Sequence, residues 1–397
     1  MSTAGESHGP AQVCVLTGVP SGLALCAADI DAELIRRQAG YGRGGRMALE
    51  ADRAVILAGV RLGRTLGTPI AVTVENKDHI NWRDSMSPDP HPSGAGAPPL
   101  RVTVPRPGHA DFAGLAKHGH DDIRNVLERA SARETVARVA GGAVCKRMLA
   151  EAGVTIRGRV VQIGPASCPP SELLHPEAID WEAVEASPVA CEDAAVAKAM
   201  LAAIDSAREA GESLGGVFEI WCWGLCPGVG GYASMDDRLD GRLLGALASI
   251  PAIKGVEVGW GFAAAARPGS QVHDPFVLVG SPGMQVITRG GNRAGGLEGG
   301  MTNGMPLVLR AAMKPIPTLT TPLPSVDVSA LQPVAAHVER SDVTAVPAAR
   351  VVGEAMVAYV LADAYLEKFG GDSMEQFLGS LAAFERGLEE RGLWRRS

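Results

Sequence analysis

Aromatic side chains make up only 4% of the chain, against 49 Gly and 27 Pro in 397 residues. The core must therefore come from Ala, Val and Leu packing, with many turns between elements. Lysine is scarce too. Lys77, Lys117, Lys146, Lys198, Lys254, Lys314 and Lys368 are the whole set, so arginine supplies the rest of the 37 basic residues. The net charge of −7 excludes a global basic field, and with it nucleic acid as the main partner. Seven Cys, at 14, 26, 145, 168, 191, 222 and 226, form no CxxC pair. They are expected to be buried, reduced thiols of a reducing compartment. No window reaches the length of a membrane span, and Glu6 and His8 interrupt the start before any apolar signal-peptide core. These absences point to a soluble cytoplasmic protein with no membrane partner.

What the chain does hold is arginine among glycines. Residues 106–135 read RPGHADFAGLAKHGHDDIRNVLERASARET, dense in Arg, His and Asp. A turn at Arg106-Pro107-Gly108 delivers His109 and Asp111, and Arg129, Ser131, Arg133 and Thr135 follow at short odd spacings. Guanidinium forks alternating with hydroxyls suit an anion. Arg36, Arg37, Arg43 and Arg46 cluster around Gly40, Gly42, Gly44 and Gly45, again a setting for phosphate or carboxylate. This cluster lacks the GK[ST] of a P-loop and is not a GxGxxG turn. GESHG at 5–9 displays Ser7 beside His8, and 289–303 carries six Gly in fifteen residues. Lys314-Pro315-Ile316-Pro317-Thr318 sets one cation on a rigid extended segment, and Arg340 and Asp342 stand just before a helix. The histidines show no metal-ligand spacing, so no metal is expected. The set suits a polyanionic substrate with a phosphate-bearing cofactor, and by itself names no reaction.

Periodicity predicts strands at 54–60, 69–75, 154–164, 216–225, 255–262 and 307–313. Residues 11–28 read as strand, turn, strand, followed by a short helix capped by Asp29. Helices are predicted up to about 152 from the central segment, and over 193–210, 236–249, 347–369 and 373–391, with 76–105 a surface loop or lid and 264–300 a long Gly-rich loop. Strand and helix do not alternate regularly, which favours α+β with antiparallel sheets.

The stretches GESHG (5–9), RRQAGYGRGGRM (36–47), RPGHADFAGLAKHG (106–119), ERASARETVARVAGGAV (128–144), IPAIKGVEVG (250–259), NRAGGLEGGMTNGMPL (292–307), RAAMKPIPT (310–318) and RSDVTAVPAA (340–349) closely resemble the chorismate synthase family, in its order and over nearly the whole chain. The resemblance implies one chorismate synthase-like domain over 1–397, a β-α-β sandwich with antiparallel sheets in the core and helices outside, and a homotetramer. It implies loss of phosphate from 5-enolpyruvylshikimate 3-phosphate to give chorismate. The reaction depends on reduced FMN without net redox change, with NADPH or a separate flavin reductase as the source of electrons. By the same resemblance His8 protonates the departing phosphate, His109 serves the reduced flavin near N1, and Asp342 relays the carbon 6 proton. Arg129, Ala130, Ser131, Pro251, Ala252, Gly299, Lys314, Pro315, Ile316, Pro317, Thr318 and Arg340 match flavin-binding positions. Arg37 and Arg43 match positions for NADPH or substrate anions. Ser7, Arg46, Arg106 and Arg133 fall to the substrate.

Three positions depart from the family. The chain begins a few residues short of the usual start, so a clipped opening strand is expected. Pro317 stands where Ser is common, removing a hydroxyl and a backbone donor beside the flavin phosphate, and His118 stands where Tyr is usual. The competing reading is another FMN-dependent oxidoreductase on the same flavin cradle.

Overall fold

In the computed structural model, residues 1–42, 51–90, 100–169, 175–281, 284–338 and 342–396 are described. In chain order the main elements are β1 (Ser2–Ala4), β2 (Ala11–Leu16), α1 (Ala27–Gln38), β3 (Ala54–Ala58), β4 (Ile70–Glu75), α2 (Asp111–His118), α3 (Thr135–Glu151), β5 (Thr155–Ile163), β6 (Ala166–Ser167), α4 (Ala194–Glu209), β7 (Gly216–Trp223), α5 (Leu239–Ala248), β8 (Ile253–Val258), β9 (Leu307–Met313), α6 (Val346–Phe369) and α7 (Met374–Glu390). One sheet has the order β1-β2-β4-β3 and the other β8-β9-β7-β5-β6. Every strand ladder among the described residues is antiparallel. The α+β class and the β-α-β sandwich therefore hold.

The layer order corrects one detail. Helices α1, α3 and α6 lie between the sheets, not outside them. On β4, Ile70, Val72 and Val74 are buried, facing α3, whereas Val55 and Leu57 on β3 point away and are 48% and 63% exposed. Helix α6 is apolar almost all round, as a helix must be when neighbours cover every side. Its Gly353 meets the rings and branches of Phe218 and Ile220 on β7, and Gly142 of α3 lets Ala355 approach: a Cβ at Gly142 would lie 2.3 Å from the Ala355 Cβ. Small residues at these crossings bring the layers together.

A charged knot is buried in this helical layer. Glu354 of α6 accepts from Arg36 at 2.7 and 2.8 Å, from Lys146 at 2.7 Å and from the Gly158 N–H at 2.9 Å. Burial pushes its carboxyl up, and the neighbouring cations overcome this and hold it ionised. Arg36 lies in the last turn of α1, so the knot fixes the helix end that also carries Arg37.

Other local expectations shift. Residues 23–28 are not a strand; Cys26 caps α1, and Asp29 sits at its third position, accepting from the Cys26 N–H at 2.7 Å. The central segment is broken into α2, a turn of helix at Arg124–Leu127, a 3-10 turn at Ala132–Glu134, and α3. The 264–300 stretch contains a hairpin, Phe276–Val279 with Val286–Arg289, where a loop was expected. β1 is three residues long and pairs Ser2 with Val15. Cys14, Cys145, Cys191, Cys222 and Cys226 are buried, Cys168 is half-buried and Cys26 exposed. Burial pushes the Cys14 and Cys226 thiols up to about 11, which makes them poor nucleophiles.

Candidate active site

The N-terminal loop between β1 and β2 is held from several sides. Asn76 donates through Nδ2 to the carbonyls of Ser7 at 2.6 Å and Gly9 at 3.0 Å. Arg129 donates to the Gly5 carbonyl at 3.1 Å and to the Thr3 hydroxyl at 2.8 Å. The Ser7 N–H donates to the Glu128 carbonyl at 2.9 Å, and the hydroxyls of Ser7 and Ser131 lie 3.2 Å apart. The loop thus presents Ser7 and His8 against the segment 128–131.

Glu128 takes hold of His8 twice. Its carboxylate accepts the His8 backbone N–H at 2.8 Å and faces Nδ1 at 2.9 and 3.0 Å. Arg124 donates to the same carboxylate at 2.9 Å. Burial pushes the Glu128 carboxyl up; the His8 ring, the His8 N–H and Arg124 outweigh this and leave it below the ordinary glutamate range. Trp82 closes the other side, its ring centroid 4.0 Å from that of His8, while the Arg124 guanidinium sits 4.8 Å from the Trp82 ring. His79 Nδ1 lies 2.9 Å from the His8 carbonyl.

His109 is built differently, within one turn. Asp111 is fully buried and sits two residues on, 2.5 Å from His109 Nδ1. The same carboxylate accepts from Arg106 Nε at 2.9 Å, Arg106 Nη2 at 3.1 Å and the Arg106 backbone N–H at 3.0 Å. Burial raises the Asp111 carboxyl, and His109 and Arg106 together hold it well below the usual carboxylate range. An ionised Asp111 only accepts, so His109 Nδ1 carries the proton in this contact.

This turn docks on the segment 314–318. Arg106 Nη1 donates to the Thr318 hydroxyl at 3.3 Å, and Lys314 Nζ donates to the Gly108 carbonyl. Gly108 has φ 82°, and a Cβ there would lie 3.3 Å from Lys314 Nζ and 3.6 Å from Pro317 Cβ, so the turn is shaped to fit. Burial, with Lys254 nearby, pulls the Lys314 ammonium below its ordinary range. The Lys314 N–H donates to the Ala252 carbonyl at 2.9 Å, and Ala252 is held at φ 70°, a left-handed conformation rare for a residue with a Cβ. Ser213 donates to the Ile316 carbonyl at 2.6 Å. Pro315 is exposed, and Pro251 is half-buried beside Ala252. Arg138 of α3 reaches Ser249 at 2.8 Å, tying the 249–252 turn to the start of α3 and so to Ser131.

A third group surrounds Asp52. Arg133 Nη1 lies 2.8 Å and Arg37 Nη1 3.5 Å from its carboxylate, and Arg37 also donates to Thr135 at 3.0 Å and to the Ala132 carbonyl at 3.1 Å. Both arginines are buried, which no exposed basic loop would require.

Not every expected residue joins these groups. Arg43, Arg46 and Arg340 lie outside the described residues. Asp342 is half-buried; the next residue's N–H donates to the Gly42 carbonyl at 2.8 Å, which sets Asp342 beside the exit of α1. Gly299 sits in the hairpin Leu297–Glu298/Met301–Thr302, whose Gly300 carbonyl accepts from the Leu239 N–H at the start of α5. Pro251 and Ala252 follow the opposite end of that helix. Ala130 is half-buried, its N–H donating to the Val126 carbonyl at 3.0 Å. Sequence reasoning missed Glu128, Asn76, Trp82 and Asp52 as site residues. Asp111 had a signal, its place in the His109 turn; Glu128 had none, because 120 residues separate it from His8.

A family model described as chorismate synthase matches residues 1–366. The chain belongs to the chorismate synthase family. All eight stretches that carry the resemblance fall inside that span. The chorismate synthase of Desulforudis audaxviator is 54% identical over 376 residues, 95% of this chain and 94% of that one. That of Moorella thermoacetica is 54% identical over 392 residues, 98% of each. A crystal structure of a chorismate synthase superposes with a TM-score of 0.78 at 42% identity, covering 98% of both chains. The two histidine groups and the 314–318 segment are thus parts of a chorismate synthase family fold.

Proposed function

We propose that this chain removes phosphate and the carbon 6 hydrogen from 5-enolpyruvylshikimate 3-phosphate to form chorismate. The observation that carries the reading is that His8 and His109 each have a buried carboxylate on Nδ1, the second in a turn that docks on a lysine and a hydroxyl of 314–318. The carbon 6 hydrogen has no carbonyl beside it to acidify it, so a base alone gives a slow elimination. Reduced FMN, when bound, supplies electron density as the carbon–oxygen bond breaks and recovers it afterwards.

The donor set fits such a group: Ser131, Arg129 and Thr318, with Lys314 across the Gly108 turn and the strained carbonyl path at Ala252. With Pro315 and Pro317 lacking an N–H and the Lys314 N–H taken by the Ala252 carbonyl, Ile316 and Thr318 are the remaining backbone donors of that segment. Gly299 and Arg340 complete the flavin set. His8 gives a proton to the departing phosphate, and His109 holds one for the N1 side of the flavin. Asp342 receives the carbon 6 proton. Arg106, Arg133, Arg46 and Ser7 hold the phosphate and two carboxylates of the substrate, with Arg37 and Arg43 serving these anions or NADPH.

The working form we infer is a cytoplasmic homotetramer with one chorismate synthase-like domain per chain. The hairpin residues Phe276, Leu278 and Val279 are 69%, 63% and 44% exposed, apolar surface that another copy would cover. No helix among the described residues is long and apolar enough to cross a membrane.

The test is anaerobic turnover with photoreduced FMN and 5-enolpyruvylshikimate 3-phosphate, following chorismate and phosphate together. Equal release over many turnovers per flavin, without NADPH consumed in proportion, is the expected result. Flavin binding without chorismate, or NADPH oxidised one-for-one with product, would sink the reading and favour an oxidoreductase.

A further inference from the structure

We infer that Glu128 is the positioning residue of His8: it holds a proton on Nδ1, so that the doubly protonated ring gives up its Nε2 proton to the departing phosphate and is left as the Nδ1-protonated tautomer. The inference rests on the role proposed for His8 above.

One carboxylate grips the backbone N–H and the ring Nδ1 of the same residue, at 2.8 and 2.9 Å, which fixes the direction of the side chain as well as its protonation. An ionised carboxylate can only accept, so the proton on that side of the ring stays on Nδ1. The His8 contacts, with Arg124 at 2.9 Å adding to them, keep Glu128 ionised, and the Trp82 ring centroid lies 4.0 Å from that of His8 and limits its rotation. Glu128 is buried, so its charge acts on His8 and Arg124 with little screening by water. The arrangement is that of a histidine whose working nitrogen is defined by a carboxylate on the other one, the logic of an acid–base triad reached by different elements.

Glu128→Gln tests this directly. The amide keeps one acceptor oxygen. If that oxygen serves the His8 backbone N–H, the NH2 group faces an unprotonated Nδ1, and the ring keeps its single proton on Nε2 because Nδ1 holds none to remain after the transfer. The Ser7 N–H bonds to the Glu128 backbone carbonyl at 2.9 Å, a contact the substitution leaves in place. With the full chain loaded with reduced FMN, kcat is expected to fall about 100-fold while KM for the phosphate substrate stays within about threefold. Glu128→Asp, which keeps the charge, should recover part of that loss. In 15N-histidine-labelled protein the His8 ring signals, assigned by their absence in His8→Ala, should move from the Nδ1-protonated pattern.

The double variant separates positioning from scaffolding. If Glu128 acts through His8, adding Glu128→Gln to His8→Ala costs no further kcat; full additivity overturns the inference. Unchanged His8 ring signals in Glu128→Gln also overturn it. Wild-type turnover in His8→Ala sinks the assigned role of His8 instead, and the ring signals still report on Glu128.

Discussion

The histidines of the site are held in the same way by opposite routes. His109 gets its carboxylate from Asp111 two residues away, and Arg106 of the same turn completes the group. His8 gets its carboxylate from Glu128, 120 residues along, and its ring neighbour from Trp82 on a third segment. One group is a local turn that then docks on 314–318. The other exists only once the N-terminal loop, the 76–82 segment and the 124–131 segment have come together. The difference teaches that similar chemistry can be encoded locally or by the fold, and that the two respond to different insults.

The largest effects should be alike and would break the comparison if they were not. His8→Ala and His109→Ala are each expected to lower turnover by about 10²- to 10⁴-fold, with FMN affinity largely kept. Steady-state kinetics and flavin titration check both. Loss of turnover in only one of them would mean that the shared geometry does not imply a shared class of role.

The next effect should separate them. Asp111→Asn leaves Arg106 buried without its anion, and breaking such a pair costs about 3–5 kcal/mol. Asp111 is held below its unfolded range, so its stabilisation is complete above about pH 4–5 and is lost as pH falls through the lower, folded value. The Tm of the variant should therefore lie well below wild type at pH 7, with the gap narrowing in acid. A constant gap from pH 7 to pH 3 would contradict the ionised Asp111.

Smaller effects sharpen each half. Trp82→Ala removes the ring beside His8 and should lower kcat up to about tenfold, with Trp82→Phe milder, because aromatic contacts are worth about 0.5–1.5 kcal/mol. The ring signals of His109 should not respond. Pro317→Ser restores a hydroxyl and an N–H near the Gly108 turn and should tighten FMN binding a few-fold, about 1 kcal/mol. Unchanged binding in that variant would remove Pro317 from the flavin contacts.

Legibility follows the same division. The strands β4, β5, β7 and β9 and the helices α4, α6 and α7 were readable because each is a local period with local stops. The anion character of the site was readable because arginines sit among glycines within short stretches. The hairpin Phe276–Val279 with Val286–Arg289 was missed because Gly-rich spacing hides strands whose partners are other residues of the same segment.

By itself the sequence determined the family, the antiparallel α+β class and the residue types of the site, since these rest on order and short-range pattern. Only the tertiary structure decided that helices fill the space between the sheets, that Glu128 belongs to His8, and that Arg37 and Arg133 share Asp52. The physical reason is that burial and charge pairing depend on distance in space. A carboxylate 120 residues away carries no mark in the chain of the proton it will hold.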